Sequence, residues 1–263
     1  MVCGFCAEIK KGSFVLKKWK KAAAAGLAAV LALALMGCSS KEFKQDGKLI
    51  IATNAEFQPF EYMDGNQIVG IDVDMSNRIA KDLGRTLSIQ NMNFDSVVPA
   101  ISTGKADLGV AGLTKDPTRA KSVDFSDPYY DASQVIIIKA DNTAVTGKDS
   151  LKGKKIAVQK GTTGDDLATK ITGDANVVRF NASTDAVTEL KNGKVDAMII
   201  DNFPANTFVK QNTDLKIVGG ALTSEKYCIA VRKGNEKLLA AVNKSIASLK
   251  SSGELDSIVK KYS

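Results

Sequence analysis

A hydroxyl, an Asp-Pro pair and a guanidinium fall close together in Ala111-Gly112-Leu113-Thr114-Lys115-Asp116-Pro117-Thr118-Arg119. The apolar run Leu108–Ala111 delivers the chain to a glycine just before them. Asp116 suits an N-cap and Pro117 a first helical position, so a short helix is expected to start here. Helix N-termini are ready anion sites, and an arginine fork captures a carboxylate through two parallel bonds. The chemistry expected of this stretch is a grip on the carboxylate of a small ligand.

The elements that must position it alternate between strand and helix. Leu49–Thr53, Leu87–Gln90 and Leu108–Ala111 read as strands. Helices with Met75, Ile79 and Leu83, and with Val97, Val98 and Ile101, separate them. Glu61-Tyr62-Met63 and Gln67-Ile68-Val69 flank Asp64-Gly65-Asn66, a hairpin signal. That order predicts a parallel sheet with helices on its faces and a ligand beyond the carboxyl ends of its strands. Val135–Lys139 leaves this unit, and a second series follows: Ile156–Gln159, a helix over Asp165–Ile171, Val177–Phe180, a helix over Ala182–Leu190, and Val195–Ile200 ending on Asp201. Tyr227–Val231 runs back, and a long terminal helix carries Leu238, Val242, Ile246 and Leu249 on one stripe. Two α/β units joined by two crossings imply two lobes, a cleft and a hinge.

Composition narrows the chemistry further. The 263 residues carry a formal charge of +7, but the excess is local. Residues 1–37 hold Lys10, Lys11, Lys17, Lys18, Lys20 and Lys21 against Glu8 alone, which leaves 30 basic and 28 acidic residues in the rest. A near-neutral body argues against nucleic acid as a partner. The chain has no histidine, which removes Ser-His and Cys-His nucleophile pairs and most catalytic zinc sites, so no metal or cofactor is expected. Two of the four cysteines, Cys3 and Cys6, precede the apolar segment, which argues against a disulfide framework.

The N-terminus reads as an address. Lys17-Lys18-Trp19-Lys20-Lys21 precedes the uncharged run Ala22–Met36, as in a secretory signal. Leu35-Met36-Gly37-Cys38 resembles the bacterial lipobox, whose cysteine takes a lipid and becomes the first mature residue. Residues 1–37 are therefore expected to be a lipoprotein signal peptide, with Cys38 lipidated and 38–47 a tether. Residues 1–14 fit no part of a signal, which predicts a true start at Val15.

Taken together, Ala52–Phe57 with Pro59-Phe60-Glu61, Val69–Asp74, Phe94–Ala100, Gly112-Leu113-Thr114 with Arg119, Asp124–Tyr130, Gln159–Gly164 and Asp196-Ala197-Met198 with Asp201 are similar to one known family. The chain resembles the polar amino-acid-binding proteins of bacterial ABC importers, extracellular solute-binding family 3. The resemblance implies an α/β Venus-flytrap fold of two Rossmann-like lobes, 48–134 with 226–263 and 135–225. It implies that Arg119 holds the ligand's α-carboxylate with help from Thr114 and the Thr163 backbone. The Gly112 carbonyl, the Thr114 hydroxyl and the Asp201 carboxylate would hold the α-ammonium, and Phe57 and Phe94 would sandwich the side chain. Asn54 and Gln159, with Ile200, stand where the choice of amino acid is made, and a polar neutral ligand is expected ahead of a basic one. The implied partners are the permease and ATPase subunits of an importer, served by a monomer anchored outside the cytoplasm.

Elementary physics agrees. A zwitterion needs a fixed cation and a fixed anion a few ångströms apart, and placing them on opposite lobes joins binding to closure. Plainer readings stand beside these. Asp201 could cap a helix near Pro204, Phe57 and Phe94 could be core residues, Glu56 a solvated loop charge and Cys228 a core thiol. The acids Asp72/Asp74 and Asp165/Asp166 read as helix N-terminal charge. The competing function is an enzyme on the same fold, similar to cyclohexadienyl dehydratases, with Glu56 as its acid.

Overall fold

A computed structural model describes residues 47–262; the expected signal, lipidation and tether, and the start at Val15, lie outside them. Two five-stranded sheets with the same plan make two lobes. In the first, β1 (Lys48–Thr53) lies between β5 (Thr86–Asn91) and β6 (Leu108–Gly109), all parallel. The returning strand β15 (Ala230–Arg232) and then β7 (Val123–Phe125) complete it. In the second, β10 (Ile156–Gln159) lies between β11 (Val177–Phe180) and β12 (Ala197–Asp201), again parallel. The antiparallel strand β9 (Gln134–Lys139) and then β13 (Leu215–Val218) follow. The parallel trio was expected in both units; the antiparallel strand beside each was legible only as a crossing.

Each sheet is buttressed by helices whose apolar stripes face it. Helix α1 (Ile71–Asp82) buries Met75 and Ile79, and α2 (Phe94–Ser102) buries Val97 and Ile101. In the second lobe α3 (Thr163–Thr172), α4 (Ser183–Lys191) and α5 (Asn202–Gln211) follow β10, β11 and β12 in turn. Two separate cores result, one around Ala52, Leu113 and Phe125, the other around Ile136, Val158 and Ile199. Cys228 lies in the first as a buried free thiol, as its apolar strand suggested. The hairpin of β3 (Glu61–Asp64) and β4 (Gln67–Val69) forms with Asp64 paired to Gln67, and β2 (Glu56–Phe57) joins its other edge.

Three elements differ from expectation. The strand Tyr227–Val231 is two strands: β14 (Glu225–Tyr227) pairs with β8 (Tyr130–Ala132) in a ribbon, and only β15 enters the first sheet. The terminal helix is also two, α6 (Glu236–Ser251) and α7 (Glu254–Lys261), because Gly253 turns left-handed at φ 72°. A glycine adopts that conformation at little cost and ends helices for this reason. The helix expected after Asp116 is a single 3-10 turn, Arg119–Lys121. Among the described residues no helix is long and apolar enough to cross a membrane.

Candidate ligand-binding site

The carboxyl ends of β1, β6, β10 and β12 converge on a cavity lined by Phe57, Phe94, Ala111, Gly112, Thr114, Arg119, Gln159, Thr162, Thr163 and Asp201. All the expected site residues line it except Asn54, which sits one step behind, and Ile200.

Arg119 is held rigidly. Its Nε lies 3.1 Å from Asp116 Oδ2, Nη1 donates to the Thr114 carbonyl at 2.8 Å, and Nη2 to the Gly161 carbonyl at 2.9 Å. A guanidinium has five N–H donors, so one on each terminal nitrogen remains, the pair that meets a carboxylate side by side. Its carbon also stands 5.2 Å from the centre of the Phe94 ring. Burial lowers the Arg119 pKa while the acids around it, Asp116 first, oppose that.

The arginine lines the cavity, but the helix end expected beside it offers no free amides. Asp116 Oδ1 accepts from the Thr118 and Arg119 amides at 2.7 and 3.0 Å, so these N–H groups are taken. Helix α3 begins at the cavity next to Arg119. Its N-cap Thr162 accepts from Asp165 N through its hydroxyl, and it starts two residues earlier than expected, at Thr163. Thr162, Thr163 and Arg119 line the same cavity, so the first turn of α3 opens beside the guanidinium, an arrangement that favours an anion.

Asp201 supplies the opposite charge. It is the N-cap of α5 by position, yet its side chain makes no capping bond. Instead Oδ1 accepts from the hydroxyl of Tyr227 at 2.7 Å. Burial raises its pKa to about 6, against the lowering effect of the Tyr227 hydrogen bond. Gln134 gives this carboxylate a second hydrogen bond, and both partners are neutral, so its charge stays available to a cation. Tyr227 was missed in the sequence because it sits inside an apolar strand; fully buried, it packs edge-on against Phe60 at 5.1 Å.

Glu225 was missed as well. Its Oε2 accepts from Thr114 Oγ1 and from Thr163 Oγ1, both at 2.8 Å, and its Oε1 accepts from Thr223 Oγ1 at 2.9 Å. The signal available was the period of two: Glu225 and Tyr227 share one face of β14, the face turned to the cavity. Gln134, also unanticipated, donates from Nε2 to Thr163 Oγ1 at 3.1 Å.

At the other end Gln159 spends both amide hydrogens on the protein, donating to Asn54 Oδ1 at 2.7 Å and to the Asn181 carbonyl at 2.9 Å. Asn54 is itself fixed by donating to the Met92 carbonyl at 2.8 Å. The atom Gln159 has left for the cavity is Oε1, an acceptor. Ile200 is buried without lining the cavity, so it offers the ligand no contact. Phe57 lines one wall, stacked on Phe60. Gly112 adopts φ 54°, and a Cβ there would lie 2.9 Å from Phe57 Cε1, so only glycine lets the backbone approach this closely.

Asp72 stands in the first turn of α1, as its reading as helix N-terminal charge implies, but its side chain turns inward. The N-cap of α1 is Gly70, and the fully buried Asp72 carboxylate accepts from the Gly112 amide at 2.9 Å and from the Tyr129 hydroxyl at 2.8 Å. It therefore fixes the Ala111–Gly112 peptide, the neighbour of the one whose carbonyl was expected to touch the ligand. Burial raises its pKa to about 6 and, with Asp72 beside it, pushes that of the buried Glu61 well above the usual range. Glu56, the acid an enzyme would need, lies outside the cavity, with Oε2 3.4 Å from Thr184 Oγ1.

The lobes touch around the cavity. Lys160 Nζ lies 3.0 Å from Asp95 Oδ2, and Ser183 Oγ donates to the Glu56 carbonyl at 2.6 Å. Comparison with known proteins places this geometry in context. The arginine-binding extracellular protein ArtP of Bacillus subtilis (strain 168) is 35% identical over 255 residues, which span 94% of this chain and 98% of that one. A crystal structure of a mutant of ArgBP from T. maritima superposes with a TM-score of 0.79 at 44% identity, covering 82% of this chain and 95% of that one. An ancestral arginine-binding protein bound to glutamine gives 0.78 at 42% identity, covering 82% and 97%. The model of the bacterial extracellular solute-binding proteins, family 3, matches residues 49–263, and the chain belongs to that family.

Proposed function

We propose that this protein captures a free L-amino acid between its lobes and delivers it to the permease of an ABC importer. The observation that carries the reading is the pair Arg119 and Asp201, opposite charges from different sheets on one small cavity. The α-carboxylate sits on the two remaining Arg119 donors and the first turn of α3; the α-ammonium sits on Asp201, the Thr114 hydroxyl and the Gly112 carbonyl. The lobes of this reading are 48–134 with 226–263 and 135–225, and the β8–β14 ribbon between the sheets is their hinge.

L-Arginine is the proposed ligand, with L-glutamine second. This reverses the order expected from sequence, and Gln159 is the reason. An acceptor at the far end of the cavity suits a side chain that ends in N–H donors and opposes one that ends in a carboxylate. The T. maritima and ancestral relatives, by their names arginine-binding, support the same order. A thermal-shift panel of the twenty amino acids, with prephenate added, tests the reading. Arginine is expected to give the largest shift, since ligand at 100 times Kd adds about 2.7 kcal/mol of stability. Glutamate and aspartate are expected to give none, and prephenate to remain unconverted. A preference for glutamate would overturn the ligand assignment; no shift with any amino acid, or turnover of prephenate, would overturn the function.

The lipobox-like Leu35-Met36-Gly37-Cys38 supports an anchor outside the cytoplasm through a lipid on Cys38. One acyl chain binds a membrane only marginally, whereas two or more hold a protein there. Cys38→Ala is expected to move the protein from the membrane fraction to the soluble one in its host. An unchanged distribution would rule the anchor out.

A further inference from the structure

Glu225 touches no cavity wall in its own right, yet it controls two residues that do. Its Oε2 lies 2.8 Å from the hydroxyl of Thr114, which follows β6 in the first lobe, and 2.8 Å from that of Thr163, which opens α3 in the second. Glu225 itself stands on β14, in the ribbon between the two sheets. A hydroxyl has one proton to give and two lone pairs to receive with, and a carboxylate can only accept. Both threonine protons therefore point at Glu225. Thr163 Oγ1 also takes a proton from Gln134 Nε2 at 3.1 Å, so both its donor and one acceptor site are used. Thr114 Oγ1 has no second protein partner among the described residues, and it lines the cavity. What it presents there is lone pair alone.

We propose that Glu225 is a positioning residue that sets the polarity of the binding site. By accepting the hydrogen bond of the Thr114 hydroxyl it leaves that oxygen only lone pairs for the cavity, fit for the ligand's α-ammonium and unfit for its α-carboxylate. By accepting from the Thr163 hydroxyl as well, it leaves only the backbone of α3 to serve the carboxylate. The ligand is thus bound in one orientation, with its ammonium toward Asp201 and its carboxylate toward Arg119. Because the two hydroxyls come from different lobes, the arrangement is complete only when the lobes meet. Closure and the correct polarity of the site arrive together.

This inference rests on the proposed amino-acid reading, and its test separates the two. Glu225→Met keeps the length of the side chain and removes its acceptors; Thr114→Val keeps the shape of the threonine and removes its hydroxyl. L-Arginine binding is measured by calorimetry for the unaltered protein, each variant and the double variant, with the melting temperature of each ligand-free form. Each single change is expected to weaken binding by about tenfold or more, the scale of one hydrogen bond to a charged group. The double variant is expected to be no more than about twofold weaker than the worse single one, because both changes remove the same contact. Glu225→Gln, whose amide oxygen still accepts, is expected to bind within about threefold of the unaltered protein. Should Glu225→Met not fold, Glu225→Ala takes its place in the cycle. Losses that multiply in the double variant, or a glutamine variant as weak as the methionine one, would overturn the positioning role. Failure of the unaltered protein to bind L-arginine would instead overturn the ligand reading.

Discussion

Arg119→Ala is expected to abolish the thermal shift with every amino acid, with affinity for L-arginine falling by about a hundredfold or more. Truncating one partner of a desolvated charge pair costs on the order of 2–5 kcal/mol, partly because the other charge is left buried and alone. Here the stranded group is the ligand's α-carboxylate, shared by all amino acids, so the loss does not depend on the side chain. Arg119→Lys is expected to recover little of it. An ammonium is a point charge and cannot present two parallel donors while a third bonds to Thr114 and a fourth to Gly161. The same substitution removes three contacts within the protein, so the ligand-free melting temperature must be read beside the shift. A variant that melts lower yet still responds to arginine would sink the carboxylate assignment. One that melts lower and responds to nothing would support it.

The residues of the Arg119 half were legible in the sequence because their chemistry is local. Thr114, Asp116 and Arg119 lie within one turn of chain, and the Asp-Pro pair marks a break in structure. What could not be read there was which backbone amides stay free. Asp116 uses up those of its own turn, while Thr162 caps α3 and leaves its next amides open. Capping propensity favours both positions alike; only the tertiary arrangement distinguishes a satisfied helix end from an available one.

Long-range partners were the other loss. Asp201 was found because it ends an apolar strand, but Tyr227 and Glu225, which orient the site's polar groups, are respectively 26 and 62 residues from the groups they bind. Tyr227 reads as an ordinary strand aromatic, and Glu225 as a charge at a strand end. Asp72 misled in the opposite direction. Its place in the first turn of α1 suits a helix-dipole role, yet its carboxylate turns inward to Gly112 and Tyr129. The sheets, by contrast, were legible because the strand–helix alternation is repeated twice and strands such as β5, β11 and β12 run almost directly into a helix start. Hydrophobic pattern specifies where a backbone goes; it carries no information about which of two buried polar groups donates to which.

Asp201→Asn is expected to weaken L-arginine binding by about a hundredfold, and to remove the pH dependence of what remains. In the unaltered protein the carboxylate titrates near pH 6, since burial disfavours its charge. Only the ionised form attracts the ligand's ammonium, so the apparent Kd carries a factor that grows as protons compete for the site. With a pKa of about 6 the loss between pH 7 and pH 5 is about tenfold. Stability of the ligand-free protein is expected to move the other way. Asp72 and Asp201 both have pKa values raised to about 6 in the folded state, and Glu61 is raised well above its ordinary value. The native chain therefore binds more protons than the unfolded one from about pH 6 down to about pH 4. Acidification through that window adds stability, and raising the pH above 6 forfeits it. A chain without histidine makes the experiment clean, because no other side chain with an ordinary pKa titrates between pH 5 and 7. Calorimetry and ligand-free melting over that range should give curves of opposite slope. Affinity for arginine that is flat from pH 7 to 5 would show that Asp201 does not titrate near pH 6, and an Asp201→Asn variant that binds as tightly as the unaltered protein would show that Asp201 does not hold the ammonium. A melting temperature that falls on mild acidification would show that the buried carboxyls are not the groups in control.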